Sequence, residues 1–149
     1  MTGEPDLVLE LQRHYDAPVE RVYQAWTDLD VLTTWWGCAA DMLWEVHEYD
    51  VRIGGALRVS MPIEGATFEV VGEFLAVDPP HHLSYSFGDE VVDVRIEPDG
   101  AGSLLTLRHE QLADHEAKRL VTDGWTDAVR RLGEGLMTAA TPPVSGGPG

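Results

Sequence analysis

One long apolar stripe near the C-terminus constrains the fold of this chain more than any other feature. It starts after Asp114, a residue type that often caps helices, and continues to about Met137 with apolar residues every three or four positions. This spacing predicts a single helix of about six turns. The stripe consists of Ala117, Leu120, Val121, Gly124, Trp125, Ala128, Val129, Leu132 and Leu136.

The apolar surface that such a helix needs is predicted to be a sheet of short strands. Turn signals separate the strands at hairpin spacing, which predicts an antiparallel meander. Asp78-Pro79-Pro80 ends the longest strand, because proline cannot donate to a strand ladder. The predicted strands are Leu7–His14, Met42–Arg52, Ala56–Met61, Thr67–Val77, His82–Phe87, Val91–Glu97 and Ser103–Glu110. The turns lie at Gly54-Gly55, Glu64-Gly65, Gly88-Asp89 and Asp99–Gly102.

Two short helices are predicted between the first two strands. The first follows Asp16, a plausible N-cap, and Pro18, and its apolar face runs from Val19 to Trp26. The second begins near Asp28 and ends at Gly37. It carries two adjacent tryptophans, Trp35 and Trp36, that we expect not to be buried together on one small helix face. One of them could therefore form a gate, with core packing as the alternative.

The fold class is accordingly α+β, a curved antiparallel sheet of six to seven strands wrapped around the long C-terminal helix. Alternation along the strands makes one sheet face apolar and the other charged. A helix only about 10 Å across cannot cover such a twisted sheet, which predicts a groove between them. Gly124 removes volume at this interface, either for close packing or to leave space. The expected ligand-binding residues are Trp26, Trp36, Trp44, Val59, Met61, Phe68, Val70, Phe74, Tyr85, Phe87, Val94, Leu107, His109, Leu120, Gly124 and Ala128.

Composition narrows the classes of partner. Ten Lys and Arg against 26 Asp and Glu give a formal net charge of −16, which disfavours nucleic acid and anionic membranes. Acidic residues near Met1 replace the basic start of a secretory signal, so we expect a cytoplasmic protein. The single Cys38 is typical of a reducing compartment. We expect one domain over residues 1–140, a flexible tail over 141–149, and a monomer or weak homodimer.

Several local patterns carry a family resemblance that covers residues 7 to 137. They are Asp16–Trp26, Leu32–Trp36, Asp50–Gly55, Val77–Tyr85, Ser103–His109 and Gly124-Trp125. The chain resembles the START-like (helix-grip, SRPBCC) superfamily, in the branch named for the activator of heat-shock-protein-ninety ATPase homologues. This resemblance implies a deep ligand pocket under the long helix but no single activity, because one fold hosts many functions.

Three functions follow as hypotheses. The first is binding of a small hydrophobic or aromatic ligand, as a carrier, sensor or stress-related protein, without cofactor, metal or catalysis. The second is a cyclase or aromatase in which Tyr85, His109 and Arg52 orient a polyketone and move protons. The third is activation of a chaperone ATPase, with the chaperone as partner. A buried structural His109 and a hairpin-stabilising Asp50–Arg52 pair are the simpler interpretations of those residues.

Overall fold

The structure is a computed structural model and describes residues 7–39 and 41–140. The predicted tail, 141–149, lies outside the described residues. The strands and helices are β1 (Leu9–Tyr15), α1 (Val19–Thr27), α2 (Leu29–Leu32), β2 (Gly37–Ala39), β3 (Met42–Leu43), β4 (Glu45–Tyr49), β5 (Ala56–Ile63), β6 (Ala66–Asp78), β7 (His82–Phe87), β8 (Glu90–Asp99), β9 (Gly102–Glu110) and α3 (His115–Ala140).

Seven strands form one antiparallel sheet in the order β1-β9-β8-β7-β6-β5-β4. Successive hairpins account for every neighbour except β1, which pairs with β9 in the register Leu9 opposite His109. Strands β2 and β3 form a separate two-stranded sheet. The α+β prediction is confirmed: a curved antiparallel sheet with a long C-terminal helix and two short helices after the first strand.

Two predicted strand features differ from the structure. The segment expected as one strand, Met42–Arg52, is two strands in different sheets, because the backbone N–H of Trp44 between them donates to the Trp36 carbonyl at 3.0 Å. The connection at Gly54-Gly55 is a six-residue loop over 50–55 rather than a two-residue turn. Only Gly54 has positive φ, whereas a Cβ on Gly55 would lie 1.9 Å from the Asp50 carbonyl oxygen.

The short helices also depart from expectation at their ends. Asp16 does not cap α1: its carboxylate contacts His14, and Pro18 is the N-cap without a side-chain hydrogen bond. Asp28 does cap α2 by accepting from the backbone N–H of Asp30. Helix α2 ends at Leu32, and Gly37, expected to end it, instead begins β2.

The expectation that the adjacent tryptophans could not both be buried is wrong. Trp35 is 2% exposed and Trp36 is 3% exposed. Both lie beyond the end of α2, where the chain turns toward β2, so they do not share a helix face. Trp35 packs edge-on against Trp26 in the core, and Trp36 joins a separate aromatic cluster. Neither residue is a solvent-exposed gate.

The C-terminal half of α3 completes the core on the apolar sheet face. Ala128, Val129, Leu132 and Leu136 are buried there. The Tyr15 hydroxyl donates to the Val129 carbonyl at 2.7 Å, which joins β1 to the helix. No helix in the described part of the chain is long and apolar enough to cross a membrane.

Candidate ligand cavity

A cavity of about 380 Å³ lies between the N-terminal half of α3 and the apolar face of the sheet. Strands β7, β8 and β9 form its floor, and β2 with Trp44 forms one side. Its lining residues are Trp36, Gly37, Cys38, Trp44, Phe68, Tyr85, Phe87, Glu90, Val92, His109, Ala117, Leu120, Val121, Gly124 and Trp125. The lining is largely apolar and aromatic, which is typical of small-molecule sites.

The cavity exists because α3 does not reach the sheet along its first turns. Its helical side is lined by Ala117, Leu120, Val121 and Gly124. Leu120 is 59% exposed although it belongs to the same stripe as Leu132, which is 1% exposed. A Cβ on Gly124 would meet no atom within 4 Å beyond its own helix backbone and chain neighbours. Gly124 therefore leaves space and does not serve close helix–sheet packing.

Aromatic rings form a continuous wall of the cavity. The Trp36 ring lies 6.2 Å from Tyr85 and 5.9 Å from Phe87, measured between ring centroids. Trp44 lies 5.4 Å from Phe87 and 6.2 Å from Phe68. All four pairs are tilted or edge-on, an arrangement that aromatic rings prefer to face-to-face stacking. The wall offers several ring faces to an apolar guest.

Three hydrogen-bonded side chains supply part of the polar lining. The Trp125 indole N–H donates to His109 Nδ1 at 2.9 Å, and His109 Nε2 lies 2.7 Å from Glu90 Oε1. Because indole nitrogen can only donate, His109 Nδ1 must accept, so the imidazole proton sits on Nε2 and is donated to Glu90. The chain links α3 to β9 and β8 across the cavity.

The same geometry holds His109 neutral. Burial lowers the pKa of His109, and the neighbouring Glu90 carboxylate opposes that shift only in part. Protonation of Nδ1 would also set its new N–H against the Trp125 N–H, which further disfavours the imidazolium. Glu90 therefore faces the cavity with its negative charge not neutralised by a histidine cation.

Two further polar groups belong to the lining. The Tyr85 hydroxyl is buried and has no hydrogen-bond partner among the described residues. Burial raises its pKa far above the ordinary phenol value, although the nearby Trp36 indole acts in the opposite direction. Partial burial also raises the pKa of the Cys38 thiol, an effect that Arg131 opposes. Both groups are therefore neutral at physiological pH, and Tyr85 can still donate one hydrogen bond.

Arg131 fixes the side of the cavity formed by Trp36 and Gly37. Its guanidinium is buried and donates to the Trp35 carbonyl and, at 3.0 Å, to the Gly37 carbonyl. It also pairs with Asp127 one helical turn earlier. These bonds satisfy carbonyls that follow the end of α2 and hold the backbone on either side of Trp36.

The predicted ligand residues divide into two groups. One group lines the cavity: Trp36, Trp44, Phe68, Tyr85, Phe87, His109, Leu120 and Gly124. The other group is not part of this lining: Trp26, Val59, Met61, Val70, Phe74, Val94, Leu107 and Ala128, all of which are core residues. Alternation places the strand residues of both groups on one sheet face but does not show where helix α3 touches that face.

Sequence reasoning missed Glu90, although a signal for it was present. Val92, Val94 and Ile96 alternate inward along β8, and the same period of two places Glu90 on the inner face. Treating Gly88-Asp89 as the whole turn left Glu90 outside the predicted strand, which in fact begins at this residue. The remaining lining residues not predicted are Gly37, Cys38, Val92, Ala117, Val121 and Trp125.

The three residues suggested for cyclase chemistry are not brought together. Tyr85 and His109 line the cavity, whereas the Arg52 side chain is 76% exposed and pairs with Asp50 in the loop over 50–55. Arg52 and Asp50 thus form an exposed ion pair in this loop, and Arg52 does not line the cavity. The described residues contain no group of three or more His, Cys, Asp or Glu arranged to hold a metal ion.

Comparison with known proteins agrees with the fold. The profile of the family described as activator of Hsp90 ATPase homolog 1-like protein matches residues 16–136. A Chromobacterium violaceum protein, CV1439, has a similar structure, with a TM-score of 0.79, 24% identity, and coverage of 87% of this chain and 96% of that one. An AHSA1-like protein from Aeromonas hydrophila has a TM-score of 0.77, 22% identity, and coverage of 89% and 94%.

A protein named CalU16 from Micromonospora echinospora is also similar in structure. Its TM-score is 0.63 at 26% identity, and the match covers 92% of this chain and 78% of that one. Among curated proteins, no sequence matches the chain. The structural matches therefore show the helix-grip fold, and they do not identify a ligand.

Proposed function

Because the chain belongs to the family of activator of Hsp90 ATPase homolog 1-like proteins, with the helix-grip fold, we propose that it binds a small, largely aromatic or apolar molecule under helix α3. The observation that carries this proposal is the cavity of about 380 Å³, lined by six aromatic side chains from several elements and by the open position of Gly124. Such a volume is within the range of ordinary small-molecule sites.

The distribution of polar groups favours binding over catalysis. The polar groups named in the lining are Glu90, His109, Tyr85 and Cys38. Glu90 and His109 are hydrogen-bonded to each other, and the latter also accepts from Trp125. A ligand would thus be held by aromatic contact and oriented by one or two hydrogen bonds, as in a carrier or sensor.

A ligand screen tests this proposal. Trp36, Trp44 and Trp125 line the cavity, so a bound guest should change the intrinsic tryptophan fluorescence and raise the unfolding temperature. The screen should include flavonoids, sterols, fatty acids and polyketides. No response to any class, together with a crystal structure in which side chains fill the cavity, would contradict the proposal.

A matched pair of variants locates the binding. Gly124→Leu places a side chain into the open space of the cavity, whereas Gly135→Leu makes the same change on the exposed side of α3, where a Cβ also meets nothing within 4 Å. We expect Gly124→Leu to abolish binding of any hit and Gly135→Leu to leave its affinity unchanged. Equal binding by both variants would place the ligand elsewhere.

A further inference from the structure

The charge and ring content of the cavity narrow the chemistry of its ligand. We propose that the cavity prefers a protonated aromatic amine, with the ammonium group paired to Glu90 and the ring held by the aromatic wall. This inference rests on the proposed function and deepens it, because it selects one class among small aromatic molecules.

The first observation is the sign of the charge on the cavity lining. Of the described residues that line the cavity, Glu90 is the one acid, and none is Lys or Arg. The buried cation beside the cavity, Arg131, is already paired with Asp127 and bonded to backbone carbonyls. A ligand carboxylate would therefore meet a like charge in a poorly solvated site, whereas an ammonium would meet an opposite one.

The second observation is the spare capacity of Glu90. Its Oε1 accepts from His109, and no described residue donates to Oε2. The side chain is 30% exposed within the cavity lining, so a guest can reach it. A carboxylate oxygen held in place by one hydrogen bond and free to accept another is a pre-positioned acceptor for a charged donor.

The third observation is the ring content around this acceptor. Phe87 is the direct cross-strand partner of Glu90 in the β7–β8 hairpin. Trp36 and Tyr85 pack against Phe87 at centroid distances of 5.9 and 6.1 Å. Aromatic faces attract a cation through the ring quadrupole at distances up to about 6 Å. Carboxylate and rings together form the kind of site that binds ammonium groups.

Neutral His109 is part of this selectivity. Because Trp125 donates to its Nδ1, His109 cannot present a cation that would cancel the charge of Glu90. Its role is positioning: it orients the Glu90 carboxylate and leaves the cavity with a single negative charge. The net charge of −16 on the whole chain adds an attractive field for cationic ligands.

Three probes with the same indole ring and different charge test the proposal: tryptamine, uncharged ethylindole and indolepropionate. Isothermal titration of the whole chain at neutral pH gives the three affinities. We expect tryptamine to bind about tenfold or more tightly than ethylindole, and indolepropionate to bind more weakly than ethylindole. This ranking in the unmodified protein is decisive by itself, without any variant.

Two variants then assign the preference to Glu90. Glu90→Gln keeps an oxygen that accepts from His109 but removes the charge, and it should bring tryptamine to the affinity of ethylindole. Asp89→Asn removes the same charge one residue earlier, outside the lining, and should retain the tryptamine preference. A thermal melt of each variant checks that it is folded.

The outcomes separate this inference from the proposed function. If ethylindole binds and tryptamine binds no better, or if the preference survives in folded Glu90→Gln, the amine preference is wrong and the apolar site stands. If none of the three probes binds, the amine preference is again wrong. The proposed function is contradicted only if no compound in the wider ligand screen binds either.

Discussion

The two halves of helix α3 share one apolar stripe but have opposite surroundings. In the C-terminal half, Leu132 and Val129 are buried against the sheet, and a Cβ on Gly133 would lie 3.0 Å from Cε1 of Tyr15. In the N-terminal half, Leu120 is largely exposed, and a Cβ on Gly124 would meet nothing within 4 Å. One half is packed core and the other covers a cavity.

Hydrophobic pattern alone does not distinguish the two halves, and their hydrogen bonds to the rest of the fold differ. Three bonds to other parts of the fold lie in the C-terminal half: Tyr15 bonds the Val129 carbonyl, Arg21 bonds the Leu136 carbonyl, and Arg131 bonds the carbonyls beside Trp36. Over residues 116–124 the described side-chain hydrogen bonds stay within the helix and its cap, and the first bond to the sheet is that of Trp125 to His109 across the cavity. The N-terminal turns of α3 therefore cover the cavity, whereas the C-terminal turns pack on the core.

The same substitution in each half gives the largest expected contrast. Leu132→Ala removes a fully buried side chain and should cost about 2–5 kcal/mol of unfolding free energy. Leu120→Ala removes an exposed one and should stay within about 0.5 kcal/mol of the parent. Urea denaturation of both variants measures the contrast. Similar costs at the two positions would mean that the helix packs evenly along its length.

Arg131 gives the next largest effect, with Arg130 as its control. Arg131→Met leaves the Trp35 and Gly37 carbonyls without their donor and should cost about 2–6 kcal/mol, at about 1–3 kcal/mol for each orphaned group. Arg130→Met breaks only half-exposed surface pairs with Asp127 and Glu134 and should cost less than about 1 kcal/mol. Near-ultraviolet circular dichroism should report a loosened Trp36 only in the first variant. An equal response of both would show that the buried bonds of Arg131 add nothing.

The third prediction is a smaller effect that depends on pH. The folded-state pKa of His109 lies below the ordinary value of 6.5, chiefly because of burial. On acidification the unfolded chain therefore binds a proton at this histidine before the folded chain does. The stability that neutral His109 contributes is complete above pH 6.5 and is lost as the pH falls through the lowered folded-state pKa. His109→Gln, which retains a donor and an acceptor but does not titrate, should lose less stability between about pH 7 and about pH 5.

Comparing the two proteins cancels the other histidines. The pKa of His14 is raised by its hydrogen bonds to Asp99 and Asp16, so its contribution has the opposite sign, but it is present in both chains. Glu90 bonds the His109 ring, so the difference between the two proteins reports on this pair as a unit. Parallel stability profiles of parent and variant across this range would refute a buried neutral histidine.

Most of the fold follows from local patterns in the sequence. Alternation and turn residues predict the strands β5 to β9 to within a few residues, and the apolar spacing after Asp114 predicts α3. The errors fall where a non-local contact decides the structure. Trp44 interrupts a predicted strand because its backbone bonds to Trp36, and Trp35 separates from Trp36 because the chain leaves α2 early.

The sequence predicts which face of the sheet carries the site, but not where on that face the cavity lies. Alternation identifies the inward side chains of the sheet, but Val59, Phe74 and Leu107 on that face are core, whereas Tyr85 and His109 line the cavity. What separates them is where α3 packs on that face, which depends on bonds between residues about a hundred positions apart in the chain. Arg131 is an example: its partners on the β2 side could not be inferred from helical spacing.

The measurement that tests the open half of α3 most directly is the stability of Gly124→Leu against that of Gly135→Leu. Both replacements remove a helical glycine, which should stabilise α3 by up to about 0.8 kcal/mol, and both place the new side chain where a Cβ meets no atom within 4 Å. An open cavity predicts that chemical denaturation finds both variants at least as stable as the parent. A loss of more than about 2 kcal/mol in Gly124→Leu alone would show overpacking at a closed helix–sheet contact and would contradict the cavity.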